Sequence, residues 1–318
     1  MAGGPVSGAE PRPPLIIVLG PTCSGKSALA HAIALSRGGE IVSADAFAVY
    51  RGFDVGTAKP TRQEREEVPY HLIDVADPDE TYSAGRWARE ARAAVETIRR
   101  RGRLPIVCGG SGFYVSALLE GLPPGKATEP DLRARLKAWG EAHPETARRF
   151  LRVNDPASEE RIARGNLRYV LRALEILLAT GAAVSARSRD PNGWVERWHV
   201  VKLGLAPPVE DLYARIEERV RRMLDGGWNT EVRRLLEDHI PLESNAFQAI
   251  GYREVADWVE GRAGQSETVQ RIVAATRRLA KRQKTWLKRE RGIEWMRPED
   301  ALEKALERLD RLETGRDG

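Results

Sequence analysis

Leu15-Ile16-Ile17-Val18-Leu19-Gly20-Pro21-Thr22-Cys23-Ser24-Gly25-Lys26-Ser27-Ala28-Leu29 decides the fold. The apolar run Leu15 to Leu19 suits a strand buried on both faces. Gly20 to Ser27 then matches the phosphate-binding loop pattern G-x-x-x-x-G-K-[ST] at every constrained place, and Ala28 to Leu35 follows with good helix formers. In such a strand–loop–helix unit the glycines let backbone N–H groups curl around phosphate oxygens. Lys26 adds a fixed positive charge, Ser27 offers a hydroxyl to Mg²⁺, and the helix N-terminus faces the anion. Gly20, Pro21, Thr22, Cys23, Ser24, Gly25, Lys26 and Ser27 therefore form the candidate site for a diphosphate or triphosphate.

Outward from this unit, further strands are expected at Glu40 to Ala44 and at Leu104 to Cys108, with Trp87, Ala91, Ala94 and Ile98 at helical spacing between them. The alternation implies an α/β fold, a P-loop NTPase-like parallel sheet core. At Gly121-Leu122-Pro123-Pro124-Gly125 turn residues cluster and the pattern becomes helical. Leu132, Leu136 and Trp139 make one apolar stripe, and Leu167, Val170, Leu171 and Leu174 another that Gly181 should cap. Arg187 to Gly193 reads as a return linker and Trp198 to Leu205 as a strand rejoining the sheet. The expected organisation is a flexible tail over 1–13, a first part of the core over 14–122, an inserted helical domain over 123–193, and a second part with C-terminal basic helices over 194–318.

The chain has 318 residues, with 51 Lys and Arg against 46 Asp and Glu, a net charge of +5 that leans toward polyanionic partners. Its 2 cysteines, Cys23 and Cys108, are too few for a disulfide framework and lack zinc-site spacing. His31, His71, His143, His199 and His239 are too scattered for a metal centre. No apolar run is long enough to span a bilayer, so the expectation is a cytoplasmic protein without a membrane partner; a monomer is expected as well.

Basic residues concentrate on two helical segments. Arg215, Arg219 and Arg222 share one face, which suits either a diphosphate or solvent. Arg271, Arg277, Arg278, Lys281, Arg282, Lys284, Lys288, Arg289 and Arg291 form the densest stretch, opposed in sequence by Glu290 alone. Gln283, Thr285 and Trp286, interleaved with them, suit hydrogen bonding and stacking on RNA. A solvated basic surface is the plainer alternative. Trp139 and Trp258 read as core.

Motors and GTPases with this loop also need an acidic residue ending a buried strand, and GTPases an Asn-Lys-x-Asp motif. Neither is found. Gly109-Gly110-Ser111 follows a strand instead and suits close approach of backbone to ligand. Asp45 follows another strand, where it can be a general base, a Mg²⁺ ligand through water, or a plain loop residue. The residues alone leave small-molecule kinases and other diphosphate chemistry open.

The run Asp45-Ala46-Phe47-Ala48-Val49-Tyr50-Arg51-Gly52-Phe53-Asp54-Val55-Gly56-Thr57-Ala58-Lys59-Pro60 resembles the tRNA dimethylallyltransferases, also called tRNA isopentenyltransferases. So do Gly109 to Tyr114, Arg172 to Glu175, Gln248 to Arg253, and Ala275 to Trp286. The resemblance implies transfer of a dimethylallyl group from dimethylallyl diphosphate to N6 of the adenosine just 3′ of the anticodon, in tRNAs reading codons that start with U. It implies Asp45 as the proton acceptor, Ser111 as an aid at the reacting centre, and Lys26, Ser27, Mg²⁺ and Arg219 around the leaving diphosphate. For the tRNA anticodon stem-loop it implies Asp45, Ala46, Phe47 and Ala48; Arg133; Arg168, Tyr169, Val170, Leu171 and Arg172; and Gln248, Ala249, Ile250, Gly251, Tyr252 and Arg253. The basic stretch adds Lys281 and Arg282.

The sequence departs from the family pattern at Ala46 and Ala48, where Ser and Gln are usual, at Ser111, where Thr is usual, and at Gly165-Asn166-Leu167, where Asn-Asp-Pro is usual. The competing readings are a nucleotide-type kinase, a prenyltransferase acting on free adenine nucleotides, and a non-enzymic RNA-binding or assembly factor.

Overall fold

The computed structural model describes residues 12–122, 130–186 and 193–314. The tail expected over 1–13 falls almost wholly outside these residues, as do most of the linker at 187–193 and part of the turn cluster at 121–125. The chain divides into two compact units, one of Met1–Leu119 with Val195–Gly318 and one of Glu120–Trp194.

The larger unit begins β1 (Pro14–Leu19), α1 (Lys26–Arg37), β2 (Gly39–Ser43), α2 (Arg62–Glu67), β3 (Tyr70–His71), α3 (Ala84–Arg100), β4 (Leu104–Gly109) and α4 (Gly112–Leu119). The second unit is helical: α5 (Pro130–Ala142), α6 (Pro144–Asn154), α7 (Pro156–Arg161) and α8 (Leu167–Thr180). The chain then completes the larger unit with β5 (His199–Leu205), α9 (Val209–Asp225), α10 (Trp228–Glu237), α11 (Tyr252–Val259), α12 (Gln265–Leu287), β6 (Ile293–Met296) and α13 (Ala301–Glu313).

The strands form one six-stranded sheet in the order β3-β2-β4-β1-β5-β6, parallel throughout. The protein is thus of α/β class with a helical insertion. Every residue of β1 from Leu15 to Leu19 is fully buried, as a strand with helices over both faces requires. On one face Ile16 and Val18 join Ile33 of α1, Ile41, Ile106, Leu203, and Ala305 and Leu309 of α13 in a single core. On the other, the buried Trp87 of α3 donates Nε1–H to the Ser43 carbonyl at 2.9 Å and stacks on Tyr114 of α4 at 4.5 Å between centroids.

The smaller unit has its own core of Leu136, Ala147, Leu151, Val170, Leu171 and Leu174. Gly181 ends α8 at φ 68°, its N–H returning to the Leu177 carbonyl, a left-handed cap that glycine adopts without strain. Trp139, read as core, is instead exposed on α5. No helix among the described residues is long and apolar enough to cross a membrane.

Candidate active site

Strand register assembles the site. Ser43 and Val18 both pair with Cys108, so the three form one row across β2, β4 and β1. Two residues further along, the row reaches Asp45, Gly110 and Gly20, where each strand has ended. β1 is also where the sheet changes direction, with β2, β3 and β4 to one side and β5 and β6 to the other. Such a switch point opens a ligand crevice at the carboxyl ends of the strands.

The Gly20–Ser27 loop turns through Cys23 at φ 63° and Gly25 at φ 94°. Positive φ is easy for Gly25 and uncommon for a residue like Cys23. Helix α1 starts at Lys26 with no side-chain cap on its first turn, which leaves its N–H groups for an anion. Lys26 folds back over the loop, Nζ lying 3.3 Å from the Pro21 carbonyl oxygen. Burial holds its ammonium below the ordinary lysine range; Cys108 and Asp45 pull the other way, and Arg219 adds to the depression. From α9, Arg219 Nη1 reaches to 3.4 Å from Thr22 Oγ1 and 3.8 Å from Cys23 Sγ. Two cationic side chains therefore flank one loop. Arg215 is half-buried, and Arg222 is exposed and pairs with Glu218 at 3.2 Å.

Asp45 is exposed at the end of β2. Its Oδ1 accepts from Phe47 N at 2.8 Å and Ala48 N at 3.2 Å, an Asx-type turn that orients the carboxylate and leaves Oδ2 free of protein partners among the described residues. Ala46 and Phe47 are half-buried and Ala48 is buried. Ser111 is half-buried, and its carbonyl starts α4 by accepting from Tyr114 N and Val115 N.

The neighbouring glycines have a different cause from the ligand approach the sequence suggests. A Cβ at Gly109 would meet the Ala44 carbonyl oxygen at 2.2 Å, one at Gly110 the Gln283 Nε2 at 2.3 Å, and one at Gly112 the Trp286 ring at 2.2 Å. The protein's own packing excludes side chains there. Gln283 and Trp286 accordingly face inward, which corrects the expectation that they contact RNA. Thr285 returns its hydroxyl to the Lys281 carbonyl at 3.0 Å.

The remaining expected RNA residues divide by environment. In the smaller unit Val170 and Leu171 lie in the core, so their side chains do not face a ligand, whereas Arg168 and Tyr169 are exposed. Arg133 and Arg172 both reach the buried Glu175, at 3.3 and 2.6 Å. In the larger unit Gln248 and Arg253 are exposed and Ile250 is half-buried, while Ala249, Gly251 and Tyr252 are buried. Arg253 donates to the Leu242 carbonyl at 3.1 Å.

On α12, Arg278, Lys281 and Arg282 are exposed without ion pairs among the described residues. The stretch is nonetheless opposed by more than Glu290. Arg271 pairs with Asp257 at 3.2 Å, and Arg277 with Glu217 at 3.6 Å while lying 4.9 Å from the Tyr213 ring centroid. These acids sit on α11 and α9, invisible to a reading along the helix itself.

Sequence reasoning also missed the clamp that shapes the segment after Asp45. Glu231 on α10 accepts from the backbone N–H of Asp54 at 2.8 Å and Val55 at 2.7 Å, and from the Tyr252 hydroxyl at 2.6 Å. Burial and the adjacent Glu231 push the Tyr252 phenol far above its ordinary range. Lys59, with its side chain almost fully buried, donates to the Tyr50 carbonyl and to Asp54, both at 2.6 Å, and to Asp74. Gly251, at φ 98°, lets the chain pass Trp228, whose ring a Cβ would meet at 2.1 Å. Only Asp54 and Tyr50 lie near Lys59 in sequence; Glu231, Tyr252 and Trp228 come from far along the chain.

Comparison with known proteins agrees with this geometry. The profile of the family described as IPP transferase matches residues 48–290, and that described as isopentenyl transferase matches residues 13–81. A "tRNA dimethylallyltransferase" of Thermomicrobium roseum is 44% identical over 290 residues, 89% of this chain and 86% of its own. The full-length tRNA isopentenylpyrophosphate transferase of Bacillus halodurans superposes with a TM-score of 0.69 at 32% identity, covering 95% of this chain and 97% of its own. A eukaryotic dimethylallyltransferase, crystallised acting on tRNA, superposes with a TM-score of 0.76 at 28% identity over 90% of this chain and 74% of its own. The relatives carry the name of the transfer reading and not that of a kinase or an assembly factor. With a strand-end crevice of this kind and relatives that match nearly end to end, the chain belongs to the IPP transferase family, that of the tRNA dimethylallyltransferases.

Proposed function

We propose that this protein transfers a dimethylallyl group from dimethylallyl diphosphate to N6 of the adenosine 3′ of the anticodon in tRNAs reading codons that start with U, releasing diphosphate. The observation that carries the reading is the convergence of an exposed, oriented carboxylate, Asp45, with a cationic anion loop at the carboxyl ends of neighbouring strands. An allylic carbon is already reactive. Neutralising the leaving group and positioning the amine can therefore supply much of the barrier reduction.

In this reading Lys26, Arg219 and the N–H groups opening α1 bind the diphosphate. The adenine N6 attacks the allylic carbon as the carbon–oxygen bond to diphosphate breaks, and the N6 proton passes to Asp45 Oδ2, the oxygen the Asx turn leaves free. The Ser111 hydroxyl, at the end of β4, supports the reacting centre. The anion offsets the burial, and after it the neighbouring Arg219, that hold the Lys26 ammonium below its ordinary range.

Mg²⁺ suits the donor chemistry of the site. The Ser27 hydroxyl and the Asp45 carboxylate are hard oxygen donors of the kind Mg²⁺ takes together with water and phosphate. No group of three His, Cys, Asp or Glu among the described residues holds a metal by itself. Ser27, with diphosphate oxygens, would hold the ion, which supplies further neutralisation of leaving-group charge when bound.

A target adenosine must leave its stack to reach such a crevice. The exposed Arg278, Lys281 and Arg282 of α12, with Gln248 and Arg253, provide charge and polarity for the loop that is opened. We infer a monomer acting in the cytoplasm. Incubation of protein, Mg²⁺ and radiolabelled dimethylallyl diphosphate with unmodified tRNA, followed by digestion to nucleosides, tests the reading. Label on N6 of the adenosine 3′ of the anticodon is expected. Label on free AMP alone would reject the acceptor, and no label at all with folded protein would reject the reaction.

A further inference from the structure

Helix α12 presents Gln283 on its inward face, between the buried Ala280 and Leu287. A half-buried polar group on such a face is costly unless its bonds are made. Here both ends of the amide are used. The Thr22 N–H of the anion loop donates to Gln283 Oε1 at 2.8 Å, and Gln283 Nε2 donates to the Gly110 carbonyl at 3.1 Å. A Cβ at Gly110 would meet Gln283 Nε2 at 2.3 Å, so the amide lies directly against the Gly110 backbone. One turn away Trp286 occupies the corresponding space over Gly112.

We propose that Gln283 is a positioning residue of the reaction. Its amide fixes the diphosphate loop at Thr22 against the Ser111 loop at Gly110, and so sets the distance between the leaving group and the reacting centre. The inference deepens the proposed transfer reading and rests on it. Three features support a role beyond packing. The two bonds join loops that follow different strands, β1 and β4. Thr22 is also the residue beside Arg219, so the same short segment is tied from α12 and from α9. Lys281 and Arg282, immediately before Gln283, are exposed and unpaired among the described residues, so the helix that carries basic charge outward is the helix that holds the anion loop inward.

Gln283→Met tests the proposal, because it keeps the length of the side chain and removes both hydrogen bonds. Gln283→Glu separates the two: a carboxylate still accepts from Thr22 N but places oxygen against the Gly110 carbonyl and negative charge near the diphosphate. Isothermal titration with inorganic diphosphate and Mg²⁺, steady-state kinetics with tRNA, and a thermal melt are read on each variant and the parent. Loss of two neutral hydrogen bonds corresponds to about a tenfold weakening of diphosphate binding in Gln283→Met, with a larger loss in Gln283→Glu. KM for dimethylallyl diphosphate should rise in parallel while KM for tRNA stays within about twofold. Gln283→Asn, which is one methylene shorter, should not rescue. Equal diphosphate affinity and KM in the parent and in a folded Gln283→Met protein would overturn the proposal. Failure of the parent itself to bind diphosphate would instead remove the transfer reading, and the proposal with it.

Discussion

Arg219 Nη1 stands 3.4 Å from Thr22 Oγ1, a contact between residues 197 positions apart that brings α9 onto the loop between β1 and α1. A guanidinium so placed can offer two parallel N–H groups to a phosphate, which a flexible ammonium cannot. Arg219→Ala should weaken binding of inorganic diphosphate by roughly ten- to a hundredfold, the range for one charge-assisted hydrogen bond. Binding of unmodified tRNA should change by no more than a few-fold. Arg219→Lys should recover only part of the loss. Titration calorimetry for the anion and gel shift for the tRNA distinguish the two effects, and an unchanged anion affinity would take Arg219 out of the site.

Asp45 carries two functions on two oxygens, since Oδ1 holds the turn through Phe47 N and Ala48 N. Alanine would remove both at once. Asn keeps the acceptor for the turn while removing the proton acceptor, so Asp45→Asn should fold as the parent does and bind tRNA within a few-fold. Its turnover should fall by about a hundred- to ten-thousandfold, the usual worth of a positioned general base. A retained rate in Asp45→Asn would show that the N6 proton leaves by another route.

Glu231 should matter to stability and to the segment it holds more than its place on α10 suggests. Glu231→Ala leaves the Asp54 and Val55 amides and the Tyr252 hydroxyl without their shared acceptor. The expected cost is about 3 kcal/mol, against about 1 kcal/mol for Tyr252→Phe, which removes one bond and its donor together. Urea unfolding measures both. Because both variants act on one carboxylate, the double variant should lose less than the two single losses added.

How much of this was legible along the chain depends on the range of the interaction. The strand, loop and helix at Leu15 to Leu35 is a local pattern, and it appears as read. So do β2, β4 and β5, each within a residue or two, since a buried parallel strand shows as an apolar run. β3 and β6 escaped because Tyr70–His71 is only two residues long and Ile293–Met296 sits among charges at the edge of the sheet. The glycines at 109, 110 and 112 could be recognised as close-approach positions, yet what approaches them comes from Ala44, Gln283 and Trp286. Charge runs misled in the same way. Arg277 looks unopposed in sequence, but Glu217 reaches it from α9, and Arg271 meets Asp257 of α11 as well as Glu267 of its own helix. Val170 and Leu171 sit beside exposed Arg168 and Tyr169, and only the helical turn separates core from surface there.

The helical unit contains a pH-sensitive tie of its own. Glu159 accepts from Arg152 at 3.2 Å and Arg148 at 2.8 Å, and these bonds hold its carboxyl down to about 2 against an ordinary 4.5. A carboxyl lowered in the folded state adds stability that is present above the unfolded value, near 4.5, and lost as pH falls through about 2. Glu159→Gln should therefore melt earlier than the parent at neutral pH, and the gap should narrow on acidification below about 4.5. Melts followed by circular dichroism across that range measure it. A gap independent of pH would assign the loss to packing around Arg148 rather than to charge.

Lys281 and Arg282 give the sharpest test of whether α12 meets RNA. Exposed cations that contact phosphate release counterions, so the logarithm of affinity falls with the logarithm of salt concentration by about 0.7 per phosphate neutralised on single strands. A double variant, Lys281→Ala with Arg282→Ala, should lower that slope for tRNA by about 1.4 if each residue neutralises one phosphate. Binding of inorganic diphosphate should stay within about twofold, because Gln283 still holds the Thr22 amide from the opposite face of the helix. Solvated surface charge acts only through screening, which predicts a small shift in affinity with the slope unchanged. Filter binding across a salt series separates the two, and an unchanged slope would move the RNA contact from α12 to the exposed Gln248 and Arg253.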